Sequence, residues 1–120
     1  MNPTLRINVL LLVGNRLLSE ALNRILRKRS DVLVMNQSLE LSNLPVLITK
    51  SESDVILLDS ASASVLSRQR VTRMRDLNTH AQVLMVGMDV DESAFLRAVR
   101  AGVSGYLLND ASAADVIAAI

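Results

Sequence analysis

The chain has 120 residues, half of them hydrophobic and 21% charged. It is therefore one folded domain, able to bury about two-thirds of its unfolded surface, and not a disordered segment. Zero cysteines and a single histidine, His80, exclude disulfides, thiolate chemistry and a multi-histidine metal centre, while Phe95 and Tyr106 as sole aromatics exclude a base-stacking platform, and a net charge of +1 points to neither nucleic acid nor membrane.

Two hydrophobic rhythms alternate along the chain. The first strand is predicted over residues 9–13 (VLLLV), a continuous apolar run of the kind buried on both faces of a parallel sheet. It is too short for a secretory core of about seven to fifteen residues or a membrane span of about twenty, so a cytoplasmic location without membrane contact is expected. A helix follows in which Leu17, Leu18, Ala21, Leu22, Ile25 and Leu26 form one face. It closes on Arg27, Lys28 and Arg29, cations suited to a helix C-terminus. The second strand is expected over 32–35, and Ser42 or Asn43 is expected to cap a short helix entered at Leu44 and Pro45.

The third strand is expected over 55–58 and ends at Asp59. The third helix is expected over about 64–77, with Val65, Leu66, Val71 and Met74 inward. The fourth strand covers 83–86. Its helix starts on the cap Asp91, buries Ala94, Phe95, Ala98 and Val99, and stops at Gly102. The fifth strand covers 106–108, and Ser112 with Asp115 forms a capping box for the last helix.

Five strands alternating with five helices, joined by right-handed crossovers, give a three-layer doubly wound α/β sheet. Ligands in such folds sit beyond the carboxyl ends of the strands, here Val13 to Asn15, Asp59 and Ser60, Gly87 and Met88, and Asn109 and Asp110. No glycine-rich phosphate loop follows the first strand, which argues against a nucleotide enzyme. The final helix ends as Ala118-Ala119-Ile120 without a glycine stop. That ending suggests the N-terminal part, begun at Met1, of a longer protein.

Three stretches carry a family resemblance. INVLLLVGNRLLSEAL (7–22) resembles the first strand and helix of a response-regulator receiver domain. SDVILLD (53–59) resembles its third strand, and VLMVGMDVDESAFLRAVRAGVSGYLLND (83–110) is similar to the NarL/LuxR-type transcriptional regulators, whose corresponding segment ends in AGAxGYLLKD. The resemblance covers nearly the whole of residues 1–120 and is weakest at 36–53 and 60–79. It implies a flavodoxin-like, CheY-like (βα)5 fold with strand order 2-1-3-4-5. It implies a non-enzymatic signalling role in a two-component system and a helix-turn-helix DNA-binding domain C-terminal to this chain.

The same resemblance places the family's functional positions. Asp59 matches the phosphoacceptor. The two acidic residues that help hold Mg²⁺ are matched by Val13 and Gly14, the Ser/Thr after the fourth strand by Gly87, and the Lys ending the fifth by Asn109. Val13 and Gly14 have no side-chain oxygen for a hard cation, so Mg²⁺ is not expected. With charge neutralisation gone, Asp59 is expected to be at best a very poor phosphoacceptor. Two readings of Asp59 stand: a strand-end carboxylate capping the turn into Ser60 to Ser64, or residual phosphoryl chemistry. Tyr106, at the switch-aromatic position, is either a half-exposed tyrosine packed on the fourth helix or a ring parked inward.

The stripped positions suggest an apolar or empty pocket at Val13, Gly14 and Gly87, plugged in part by Met88, which a small ligand could fill. Signalling is expected through a homodimer or protein contact on the helix four–strand five–helix five face, with Arg97, Arg100, Tyr106 and Asp110 as candidates. A weakly coupled histidine kinase remains a possible partner. The other features have plainer readings. His80 is a surface turn residue. Asp89, Asp91 and Glu92 are acids preferred at a helix start, and the cations at 24–29 and 68–75 are solvated faces.

Overall fold

The computed structural model describes residues 6–36, 43–71, 73–77 and 80–120. Ser42 and Met1 lie outside these. Strands β1 (Ile7–Leu12), β2 (Val32–Asn36), β3 (Val55–Leu58), β4 (Gln82–Met88) and β5 (Gly105–Leu108) alternate with helices α1 (Arg16–Arg27), α2 (Leu44–Ser51), α3 (Ser60–Arg68), α4 (Glu92–Ala101) and α5 (Ala113–Ala119). All neighbouring strands pair in parallel, in the order β2-β1-β3-β4-β5. This is the architecture read from the sequence. Among the described residues no helix is long and apolar enough to cross a membrane.

Strand alternation divides the core into two layers. On one face Leu10, Leu12, Ile56, Leu58, Val83 and Met85 pack with Leu44, Ile48 and Leu66. On the other, Val9, Leu11, Val55, Leu57, Leu84 and Val86 pack with Leu22, Leu26 and Val116 of α1 and α5. β5, at the sheet edge, is only half-buried along its length, unlike the fully buried run expected of it.

Several helices differ from expectation. α3 begins at Ser60 and ends at Arg68, and a separate 3-10 turn, Met74–Leu77, replaces the second half of the single helix expected over 64–77. A reciprocal cap at Asp59 starts the helix immediately after β3, so the chain needs no loop there. In α1, Leu17 is 79% exposed and Ala21 is exposed, because Ser19, Leu22 and Leu26 form the buried line. In α4 the inward residue is Ala98, while Phe95 and Val99 are exposed. Asn43, Asp91 and Ser112 cap their helices, and Gly102 takes the left-handed stop.

A carboxylate clasp at the strand ends

Asp59 follows β3 directly and is 4% exposed. Its carboxylate accepts from four donors. The Gly14 and Ser62 N–H groups reach Oδ1 at 3.0 Å each, the Asn15 N–H reaches Oδ2 at 2.9 Å, and the Ser62 hydroxyl donates to Oδ1 at 3.1 Å. In return the Asp59 N–H donates to Ser62 Oγ at 2.9 Å, completing a capping box at the start of α3. Asn15 is itself the N-cap of α1, accepting from the Leu18 N–H at 3.0 Å. One carboxylate thus ties the N-termini of α1 and α3 together, where both helix dipoles favour negative charge. Burial pushes the Asp59 pKa up. The hydrogen bonds from Ser62, Asn15 and Gly14 outweigh it and hold the carboxyl below the ordinary value.

Ser62, fully buried, is a site residue that the sequence reading missed. The Asp-x-x-Ser spacing of Asp59 and Ser62 was the signal available for it. Asn15, directly before the helical run, was a second.

The other signature positions surround this clasp without adding charge. Val13 is buried and Gly14 exposed. Gly87 lies in a β-bulge. Met85 pairs with Tyr106 and Met88 with Leu108, so Val86 and Gly87 together oppose Leu107, and Gly87 takes a φ of +63°. A Cβ at Gly87 would stand 2.6 Å from Leu18 Cδ2. Leu18 of α1, not Met88, therefore covers this strand end, and Met88 turns to the opposite core layer. Asn109 donates through Nδ2 to Asp89 Oδ1 at 3.0 Å. Among the described residues no three His, Cys, Asp or Glu side chains gather as a metal centre.

Tyr106 is half-buried, and its ring meets Phe95 of α4 edge-on, with centroids 5.3 Å apart at 89°. This is the contact with the fourth helix, one of the two arrangements considered. Phe95 and Val99, at i and i+4, share that side of α4. Arg97 is two residues from Phe95 on the helix, about 200° around it, and lines a cleft toward α3 instead. Arg100 and Asp110 are exposed. The described structure does not bring Arg97 to the Tyr106 side. His80 and the cations at 24–29, 68, 70, 73 and 75 are exposed, and Asp91 caps α4.

A cavity of about 480 Å³ lies between α3 and α4, over Leu58, Met85 and Met88. Of the residues expected to frame a vacated pocket, it shares only Met88.

No family model matches the chain. In sequence it is similar to the transcriptional regulatory protein DegU of Brevibacillus brevis, with 26% identity over 115 residues, 96% of this chain. The chain spans 49% of that relative's length. In structure it is similar to the signal receiver domain of the response regulator NarL from Mycobacterium tuberculosis, with a TM-score of 0.71 and 19% identity over 95% of this chain and 92% of that one. It is also similar to a response regulator protein from Burkholderia pseudomallei containing a phosphorylated aspartic acid, calcium ion and citrate. There the TM-score is 0.72 and the identity 20%, over 94% of this chain and 65% of that one.

Proposed function

We propose that this chain, whose fold is that of the CheY-like receiver domains, is the receiver module of a two-component transcriptional regulator of the NarL/LuxR type that signals without phosphorylation of Asp59. The similarity to DegU and the segment AGVSGYLLND support the family reading. The observation that carries the phosphorylation-independent part is the clasp: the Asp59 carboxylate caps α3 through Ser62 and also accepts from the Gly14 and Asn15 N–H groups that lead into α1.

The donor set does not suit the family's Mg²⁺. That ion wants near-octahedral oxygen ligands, whereas Val13 and Gly14 offer no side-chain oxygen and both Asp59 oxygens already accept N–H bonds. A phosphoryl group on Asp59 would bring roughly two negative charges, with no lysine at Asn109 and no hydroxyl at Gly87 to receive them. It would also take one carboxylate oxygen out of the clasp, the Oδ2 bond to Asn15 or the Oδ1 bonds to Gly14 and Ser62.

Output is then by contact. Val90 (86% exposed), Leu96 and Val99 (55% exposed) give α4 and its entry an apolar outer surface, of the sort that marks an interaction site when contiguous. We assign homodimerisation to this face, with Tyr106 and Phe95 beside it. DNA contact belongs to a helix-turn-helix domain beyond this chain.

The test is incubation with Mg²⁺ and acetyl phosphate, read by intact-protein mass spectrometry and by sedimentation. The expected result is no adduct and an unchanged dimer fraction. A stoichiometric adduct that disappears in Asp59→Asn overturns the reading.

A further inference from the structure

We propose that the cleft between α3 and α4 is a binding site for a small amphipathic carboxylate, its apolar body in the cleft and its anionic head on Arg97. The binding goes beyond the receiver reading and does not depend on it.

The cleft exists because both of its walls are built from short side chains. α3 presents Ser60, Ser64 and Ser67 at i, i+4 and i+7, and α4 presents Ala94, Ala98 and Ala101 at the same spacing, one face of each helix. Neither row is long enough to meet the other, so a volume of about 480 Å³ stays open between them. That size falls within the range of small-molecule pockets, roughly 300–1,000 Å³. The floor is Leu58, Met85 and Met88, with Met74 at the side. Three methionines give a surface that adapts to an irregular apolar shape.

The polar groups are few and of one sign. Arg97 is the one charged side chain lining the cleft among the described residues, and it makes no ion pair there. It donates a single Nη1 bond, 2.8 Å, to Ser93 Oγ. A guanidinium has five N–H donors arranged to match a carboxylate, and Ser60, Ser64 and Ser67 line the same cleft from α3. A neutral apolar ligand would leave this cation unused, and a cationic one would be repelled by it. The chemistry therefore selects an anion with an apolar tail. In a receiver whose aspartate is committed to a clasp, such a ligand would supply the input. That consequence rests on the proposed function, whereas the binding does not.

The test uses decanoate as probe and decanol as its neutral counterpart, followed by calorimetry and amide chemical shifts on the whole chain. Decanoate is expected to bind saturably, one per chain, with shift changes confined to α3, α4 and the end of β4. Arg97→Gln, at an exposed position that should not disturb folding, is expected to weaken decanoate about tenfold and leave decanol unchanged. Ala94→Leu, which fills the cleft, is expected to remove decanoate binding while the thermal midpoint holds or rises. The proposal is overturned by the absence of saturable decanoate binding, by decanol binding as tightly as decanoate, or by undiminished binding in Arg97→Gln or in folded Ala94→Leu.

Discussion

Truncating Asp59 separates a structural clasp from a carboxylate held ready for phosphoryl transfer. In Asp59→Ala the Ser62 N–H at the start of α3 loses its acceptor, an N-cap loss of about 1–2 kcal/mol. The Gly14 and Asn15 N–H groups each lose a bond to a charged acceptor. Those two residues are exposed, so water recovers part, leaving about 0.5–1 kcal/mol each. The Ser62 hydroxyl keeps the Asp59 carbonyl as a partner at 3.1 Å and adds little. The total is about 3 kcal/mol, a large part of the roughly 5–15 kcal/mol that holds a domain folded. It is equivalent to a drop on the order of 10 °C in Tm. Asp59→Asn keeps one oxygen for Ser62 and is expected to lose about half as much. Urea unfolding at neutral pH, followed by circular dichroism, measures both. A site kept strained for chemistry would respond in the opposite direction, since removing such a residue commonly stabilises. Wild-type stability in Asp59→Ala, within about 0.5 kcal/mol, would refute the clasp.

Other outcomes follow from the same geometry. Because the folded-state pKa of Asp59 is depressed, its contribution is fully present above the ordinary carboxylate pKa of about 3.9 and is lost as pH falls through the lower folded value. An acid titration of stability should therefore fall less steeply below pH ~4 in Asp59→Asn than in the wild type. Gly87→Ala is expected to cost about 1–2 kcal/mol from the positive φ, plus the displacement of Leu18. A double-mutant cycle with Leu18→Ala should recover the second part only. Phe95→Ala removes the edge contact with Tyr106 and should cost about 1 kcal/mol in thermal unfolding. Leu96→Glu and Val99→Glu, at exposed positions, should change stability by less than about 0.5 kcal/mol yet shift sedimentation toward monomer; an unchanged dimer fraction would move the interface elsewhere.

The sheet was legible because each strand holds a short unbroken apolar run at which no helical period competes; β3 matches its run, while β1 reaches back to Ile7, β2 on to Asn36, β4 to Gln82 and Met88, and β5 back to Gly105. The helices were read less well where apolar spacing was the sole guide. α3 opens with Ser60-Ala61-Ser62-Ala63-Ser64, which has no hydrophobic period, and its start is set by a cap instead. α4 carries two apolar faces, one of alanines and one of Phe95 and Val99. Size favoured the larger pair as core, yet the alanine face turns inward at Ala98. The clasp was half legible. Asp59 as a turn-capping carboxylate follows from its place in the chain, but its bonds to Gly14 and Asn15 span 45 and 44 residues and depend on β1 and β3 being neighbours. The contact of Leu18 with Gly87 is likewise a product of assembly, in which one chain position fills the space that another leaves.

These features have a common logic. A phosphorylatable site must hold several like charges close together and stay open to a metal, at a cost in stability that the fold has to offset. Here the family's signature positions carry one carboxylate, used as a cap, and an apolar side chain fills the space at Gly87. That end of the sheet is consequently tied down, with α1 and α3 fixed to the same residue. α4 by contrast is lightly packed, with a small inward face, a cleft toward α3 and exposed apolar groups outside. Elements that respond to ligands or partners come from the weakly packed part of a structure. In this chain α4 is such an element, and its Phe95 meets Tyr106 of β5 edge-on.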